Sequence, residues 1–171
     1  MNRGLYVVMG VAGAGKSLIG AAFARALDVD FVDGDDFHPA TNVAKMAAGV
    51  PLTDEDRAAW LHVLGEQLAA AHDQQRGLVL ACSALKRSYR DELRAAAHAT
   101  LRFIHLRGAR HVIAGRLAQR RGHFMPVSML ESQLATLEEP GTDERAWIVD
   151  VSDAPETIVD ALVARVKEHA P

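Results

Sequence analysis

The chain of 171 residues has a single cysteine, Cys82, so no internal disulfide can staple its fold. A lone thiol inside an apolar run fits a reducing compartment. No apolar run reaches the length that a membrane-spanning helix needs, which argues against a membrane partner. The opening residues lack the pattern of a secretory signal, because their hydrophobic run ends in a glycine-rich turn. A soluble, cytoplasmic protein is therefore expected. Positive charge is also scarce: 19 lysines and arginines stand against 22 acids, for a net charge of −3. Without a basic footprint, nucleic acid is not an expected partner. Repeats, low-complexity segments and long linkers are missing too. One domain over residues 1–171 is expected, long enough to bury a proper core.

What is present starts at Leu5-Tyr6-Val7-Val8-Met9, an apolar run that leads into Gly10-Val11-Ala12-Gly13-Ala14-Gly15-Lys16-Ser17. This is G-x-x-x-x-G-K-S between a predicted strand and a predicted helix, the setting that makes a phosphate-binding P-loop credible. Gly10, Gly13 and Gly15 let the backbone turn tightly, so that successive N–H groups, that of Ala14 among them, point at an anion. The helix that follows adds its unpaired N–H groups and the positive end of its dipole. Lys16 is placed to reach the β- and γ-phosphates, and the Ser17 hydroxyl to ligate Mg²⁺. A nucleoside triphosphate site follows from these residues.

Apolar periodicity predicts a first helix over Ser17 to Leu27, with Leu18, Ala21, Ala22 and Leu27 facing a sheet. Asp30 to Asp35 reads as a short strand ending in a carboxylate pair, Asp33 and Asp35. Ligands of open α/β sheets gather at such strand ends. A phosphoryl acceptor needs a carboxylate to orient its hydroxyl, and Mg²⁺ needs an acid nearby. After His38-Pro39 a short helix is expected over Thr41 to Ala48. A longer one then runs from the cap Thr53 to about Gln75, with Trp60, Leu61, Leu64 and Leu68 on one face. His38, Lys45 and Arg57 form a polar cluster just after these acids, suited to an anionic, hydroxylated substrate. Leu78 to Ser83 reads as a buried parallel strand. Lys86 and Arg90 follow it at the start of a helix over Ser88 to Ala97. A strand over Leu101 to Leu106 precedes a helix over Arg110 to Arg120. Arg116 and Arg120, four apart, are expected to share one helix face and to close over a polyanion. A helical stretch over 125–138, a strand from Ala146 to Val151 and a closing helix from Pro155 to Glu168 complete the chain. This alternation means an α/β three-layer fold with a parallel sheet.

Several motifs together resemble the gluconokinases of the P-loop kinase type. They are the P-loop with Met9, then Asp33-Gly34-Asp35-Asp36-Phe37-His38-Pro39, and Asn42-Val43-Ala44-Lys45-Met46. Gly49 to Arg57 with Trp60, Cys82-Ser83-Ala84-Leu85-Lys86 with Tyr89-Arg90, Gly122-His123-Phe124 and Leu137-Glu138-Glu139-Pro140 match as well. Met125 departs from the pattern, standing where bacterial relatives often carry a second aromatic. The resemblance covers nearly the whole chain, and D-G-D-x-x-H-P and C-S-A-L-K are its specific parts.

The resemblance implies a fold like that of nucleoside-monophosphate and shikimate kinases. In that fold a five-stranded parallel sheet is flanked by helices, with a substrate-binding helical region at about 36–75 and a lid at about 120–138. It implies ATP and Mg²⁺ as cofactors and transfer of the γ-phosphoryl to the 6-hydroxyl of D-gluconate. By the same resemblance Lys16, Asp35 and Arg120 are catalytic and Asp33 lies near the metal with Ser17, although the two aspartates could exchange roles. Asp33, Asp35, His38, Lys45, Arg57, Lys86, Arg90 and His123 would shape the substrate site. Arg116 would stack on adenine, Asp153 to Pro155 would meet its edge, and the protein would be a homodimer. Two other classes stay open on the residues alone: a related small-molecule kinase, and a nucleotide switch without an acceptor.

Overall fold

Strand and helix alternate from end to end, as the apolar pattern requires. The computed structural model describes residues 3–98, 100–120 and 127–169. Their strands are β1 (Leu5–Met9), β2 (Asp30–Asp33), β3 (Leu78–Ala81), β4 (Leu101–Arg107) and β5 (Trp147–Asp150). The helices are α1 (Lys16–Leu27), α2 (Ala40–Ala47), α3 (Asp54–Asp73), α4 (Arg87–Ala97), α5 (Arg110–Gln119), α6 (Val127–Thr136) and α7 (Pro155–Glu168). Two 3₁₀ turns, Gly34–Phe37 and Thr142–Glu144, lie between them.

All strand pairs are parallel, and the sheet order is β2-β3-β1-β4-β5. The five-stranded parallel sheet expected from the sequence is the one found. Val8 lies opposite Ala81 on one side and Ile104 on the other. The central β1 is buried along its whole length, because helices cover both faces and no residue meets water. Successive residues point to opposite faces. Val8, Val79 and Ile104 pack with Ile19 and Phe23 of α1 and with Ile158 and Leu162 of α7. Val7, Leu80 and Phe103 pack with Trp60, Leu64 and Leu68 of α3 and with Leu93 of α4. Parallel pairing sends the carboxyl ends of β1, β2 and β3 to one edge, where ligands of such sheets bind.

Element limits differ from the sequence reading by at most two residues, but two assignments change. The buried face of α1 is Ile19, Gly20, Phe23 and Ala24, whereas Leu18 and Ala21 are exposed. The reason is Gly20: a Cβ there would come within 2.9 Å of the Phe31 ring, so the helix lies closest to the sheet on that side. Arg120 does not continue α5, since its ψ of 115° is extended. The pair Arg116 and Arg120 therefore shares no helix face.

Arg90 is the most deeply placed charge, with its side chain 0% exposed and that of its partner Glu144 2% exposed. Its Nε and Nη2 donate to the Glu144 carboxylate at 2.7 and 2.8 Å. Its Nη1 donates to the carbonyls of Ala84 and Leu85 at 3.0 and 3.2 Å. Arg94 Nη2 adds a third bond to Glu144 at 2.7 Å. Ala84 sits at φ 46°, a left-handed conformation costly for a residue with a Cβ, so the turn after β3 needs this support. Glu138 N–H donates to the Leu85 carbonyl at 2.8 Å, which ties the chain after α6 to the same turn.

The bonds from Arg90 hold the Glu144 carboxyl down at about 2, against the opposing effect of burial, from its ordinary 4.5. A depressed folded-state value adds stability above pH 4.5 that is lost as the pH falls toward 2. Replacing Glu144 by Gln leaves the Arg90 charge buried and unpaired. Denaturant titration of Glu144→Gln at pH 7 is expected to show a loss of about 3–5 kcal/mol. Its stability should also fall less steeply than the parent's between pH 4.5 and 2.

Candidate active site

The loop between β1 and α1 closes around its own backbone. Gly13 and Gly15 take φ values of 82° and 97°, a region that glycine enters without strain. A Cβ on Gly13 would lie 2.7 Å from Leu117 Cγ, so the loop rests directly on α5. Ala14 is buried, and its N–H donates to the Val11 carbonyl at 3.1 Å, so it closes the loop on itself and does not point at an anion as expected. Gly10 N–H donates to the Ser83 carbonyl at 3.3 Å, joining the loop to the end of β3. Gly15 is the residue before α1 and supplies no side-chain cap, so the first N–H groups of α1 stay available to an anion.

Lys16 arches back over this loop, and its Nζ donates to the Val11 carbonyl at 3.1 Å. Burial lowers its pKa, the Asp35 and Asp33 carboxylates oppose that fall, and Arg120 adds to it. Ser17 Oγ donates to Asp33 Oδ2 at 2.5 Å. Asp33 ends β2 and uses its other oxygen to accept the Asp35 N–H at 3.0 Å. Between the two acids a side chain cannot fit, because a Cβ on Gly34 would lie 2.5 Å from the Ala81 carbonyl oxygen. The Gly34 carbonyl accepts the Trp60 Nε1–H at 2.7 Å. Trp60 in turn carries the His38 ring, stacked at 4.1 Å between centroids and 15° between planes.

These groups line one cavity of about 480 Å³. Of the residues singled out in the sequence, it brings together Gly13, Gly15, Lys16, Ser17, Asp33, Asp35, His38, Arg57 and Arg120. The cavity thus joins a phosphate cradle and its cations to carboxylates and an imidazole.

The chain as a whole is similar to proteins of known family. A family model described as an AAA domain matches residues 5–140. The gluconokinase of Gluconobacter oxydans is 47% identical over 161 residues, covering 92% of this chain and 88% of that protein. The chain belongs to the gluconokinase family. Among solved structures, a gluconokinase from Sinorhizobium meliloti 1021 superposes with a TM-score of 0.87 at 47% identity, covering 97% of this chain and 94% of that one. A sugar kinase from a Janibacter species reaches 0.91 at 43% identity, covering 96% and 94%.

Within this gluconokinase-family fold, the remaining sequence candidates lie outside the cavity wall. Lys45 Nζ is 2.8 Å from both oxygens of Asp56, which also closes the capping box of α3 with Thr53. Lys86 Nζ donates to Asp54 at 3.0 Å, and Asp54 also accepts the Tyr89 hydroxyl. That hydroxyl accepts from Arg57 Nη1 at 3.2 Å, so Arg57 and Lys86 are joined through one tyrosine and one aspartate. Arg57 is anchored further by the Leu52 carbonyl at 2.8 Å. Arg90 is not brought to the cavity, because each of its three guanidinium nitrogens is bound to Glu144 or to the turn after β3. Arg116 donates to the Val151 carbonyl. Asp153 is exposed, and Pro155 opens α7 beside a separate groove with Leu18. His123, Met125 and the start of the expected lid lie outside the described residues.

Among the cavity residues that the sequence does not assign to the site, three matter most: Trp60, Ser83 and Gln133. Trp60 was legible only as core, because helical periodicity reports burial and not a ring face. Ser83 stands just beyond β3 and was seen only as part of a motif. Gln133 of α6 accepts the Ala12 N–H at 2.7 Å, a contact across 121 residues that no local pattern announces.

The neighbouring Cys82 thiol is buried, and that burial pushes its pKa up to about 12. It is therefore protonated at any working pH, although it lies beside the site. Thiol-reagent titration at pH 8 should find no reactive group in the native protein and one equivalent after denaturation.

Proposed function

We propose that the protein transfers the γ-phosphoryl group of ATP to the 6-hydroxyl of D-gluconate, forming 6-phospho-D-gluconate and ADP. One observation carries this reading. A P-loop lysine and the carboxylates that follow β2 line a single cavity, in a chain 47% identical to a gluconokinase along most of its length. The acceptor side is the helical region over 36–75, and residues 120–138 act as a lid that excludes water.

The P-loop N–H groups and the first turn of α1 hold the β- and γ-phosphates. Lys16 leaves the Val11 carbonyl for the phosphates, a weak neutral partner given up for a doubly charged one. Arg120, which lines the same cavity, meets the transferring group there. Its loose transition state spreads charge over the equatorial oxygens, where fixed cations act most strongly in a dry site. Ser17 and Asp33 supply a hydroxyl and a carboxylate oxygen side by side, a donor pair that suits Mg²⁺, an ion that takes few protein ligands. When bound there, Mg²⁺ neutralises phosphate charge. Asp35 is exposed to the cavity, orients the acceptor hydroxyl and accepts its proton as the new P–O bond forms. Arg57 and His38, which line the cavity, receive the substrate's carboxylate and hydroxyls, and Lys86, outside the cavity wall, supports Arg57 through Asp54 and Tyr89.

A coupled ADP-release assay tests the reading against Mg-ATP with sugar acids, shikimate and nucleoside monophosphates. Turnover confined to D-gluconate is the expected result, and turnover on another acceptor overturns the substrate assignment. Lys16→Ala should lower kcat on the order of 10²-fold or more. Asp35→Asn should abolish transfer while an ATP analogue still binds; normal turnover in that variant removes Asp35 from the role of base.

A further inference from the structure

One buried polar side chain near the cavity takes no part in the mechanism above. Asn42 of α2 is 2% exposed, and its environment leaves its amide only one orientation. The Nδ2 atom lies 2.8 Å from the backbone carbonyl oxygen of Asp56. A carbonyl oxygen only accepts, so the group pointing at it must be the NH₂ and not the amide oxygen. The same Nδ2 lies 3.4 Å from His38 Nδ1. Its second hydrogen faces that ring nitrogen, and a nitrogen that accepts a hydrogen bond carries no proton. The proton of a neutral His38 ring is therefore on Nε2.

The ring is neutral at pH 7, since burial pushes its pKa below 6.5 despite the raising effect of Asp35. Stacking on Trp60 fixes its plane, and Trp60 is itself pinned by the Gly34 carbonyl between Asp33 and Asp35. His38 Nε2 then stands 3.9 Å from Asp35 Oδ1, at the cavity wall. That distance is too long for a hydrogen bond but short enough for a small movement of the exposed Asp35 side chain to close it.

We propose that Asn42 is a positioning residue of the acceptor site. By donating to His38 Nδ1 it locks the imidazole as the Nε2–H tautomer, so that the nitrogen facing Asp35 is a hydrogen-bond donor. The chain Asp56 carbonyl, Asn42, His38, Asp35 thus runs from the first turn of α3 to the carboxylate that receives the acceptor's proton. With the opposite tautomer, a bare nitrogen would face a carboxylate, and two acceptors would repel. The catalytic part of this inference rests on the phosphoryl-transfer reading above, whereas the tautomer does not.

Two measurements on the full-length protein decide it. The long-range ¹H–¹⁵N spectrum of the imidazoles, with the His38 signals assigned by their loss in His38→Gln, reads the tautomer directly. The wild type is expected to show a bare Nδ1 and a protonated Nε2; a protonated Nδ1 overturns the proposal. Asn42→Asp places an acceptor opposite Nδ1 and should move the ring proton there. Its kcat with D-gluconate should fall between about 10- and 10²-fold with KM for ATP unchanged. A moved tautomer with unchanged kcat overturns the positioning role, as does a loss confined to thermal stability. If Asn42→Asp does not fold, His38→Gln, whose amide can donate from the Nε2 place, should retain more kcat than His38→Asn. Equal losses in that pair also overturn it. A wild type silent toward every sugar acid sinks the functional reading instead, and the spectrum alone then decides the tautomer.

Discussion

The site depends on an ammonium group withdrawn from water. Lys16 loses hydration where the P-loop rests on α5, and a charge so placed is costly unless its surroundings replace the lost water. Here the replacement comes from a loop carbonyl and from two carboxylates at the end of β2. None of these is a full ion pair at contact distance, so the charge is supported without being consumed. A lysine bound tightly by its own protein would be of little use to a phosphate. The geometry that achieves this follows from the parallel sheet, which delivers the ends of β1 and β2 to one edge.

Other cations near the site are bound to fixed partners. Arg90 binds Glu144 and two carbonyls of the turn after β3 through all three of its guanidinium nitrogens. That turn contains a left-handed alanine and leads from Ser83 at the cavity to Lys86 beside it. The buried pair therefore serves the site from behind, by holding a strained backbone in register. Lys45 is spent in the same way on Asp56, at the start of the helix that carries Arg57 and Trp60. The cations around the site thus fall into two groups: Lys16, Arg57 and Arg120, which line the cavity, and Lys45, Lys86 and Arg90, whose carboxylate partners hold the surrounding elements.

The acceptor wall is built by aromatic packing as much as by charge. Trp60 fills the core between α3 and the sheet, and its indole N–H fixes the Gly34 carbonyl between the two acids. The other face of the same ring seats His38. A single residue thereby sets the distance between a core helix, the strand-end carboxylates and an imidazole. Asn42 then determines which edge of that imidazole can donate.

The sequence by itself determined the strand–helix alternation, the parallel sheet, the P-loop and the carboxylate pair. Each of these is written in short-range terms: an apolar period, a glycine spacing, or an acid at a strand end. The capping box of α3 and the start of α7 at Pro155 were legible for the same reason. Only the tertiary structure decided which of the many cations meets the cavity. Arg57 and Arg120 do, whereas Arg90, equally well placed by spacing, turns inward toward a glutamate 54 positions away. It also decided the buried face of α1, where a close approach of Gly20 to Phe31 outweighed the apolar count. Spacing along a chain says which side chains share an element. The direction of a long, charged side chain is set by its partner, and the partners here come from distant parts of the sequence.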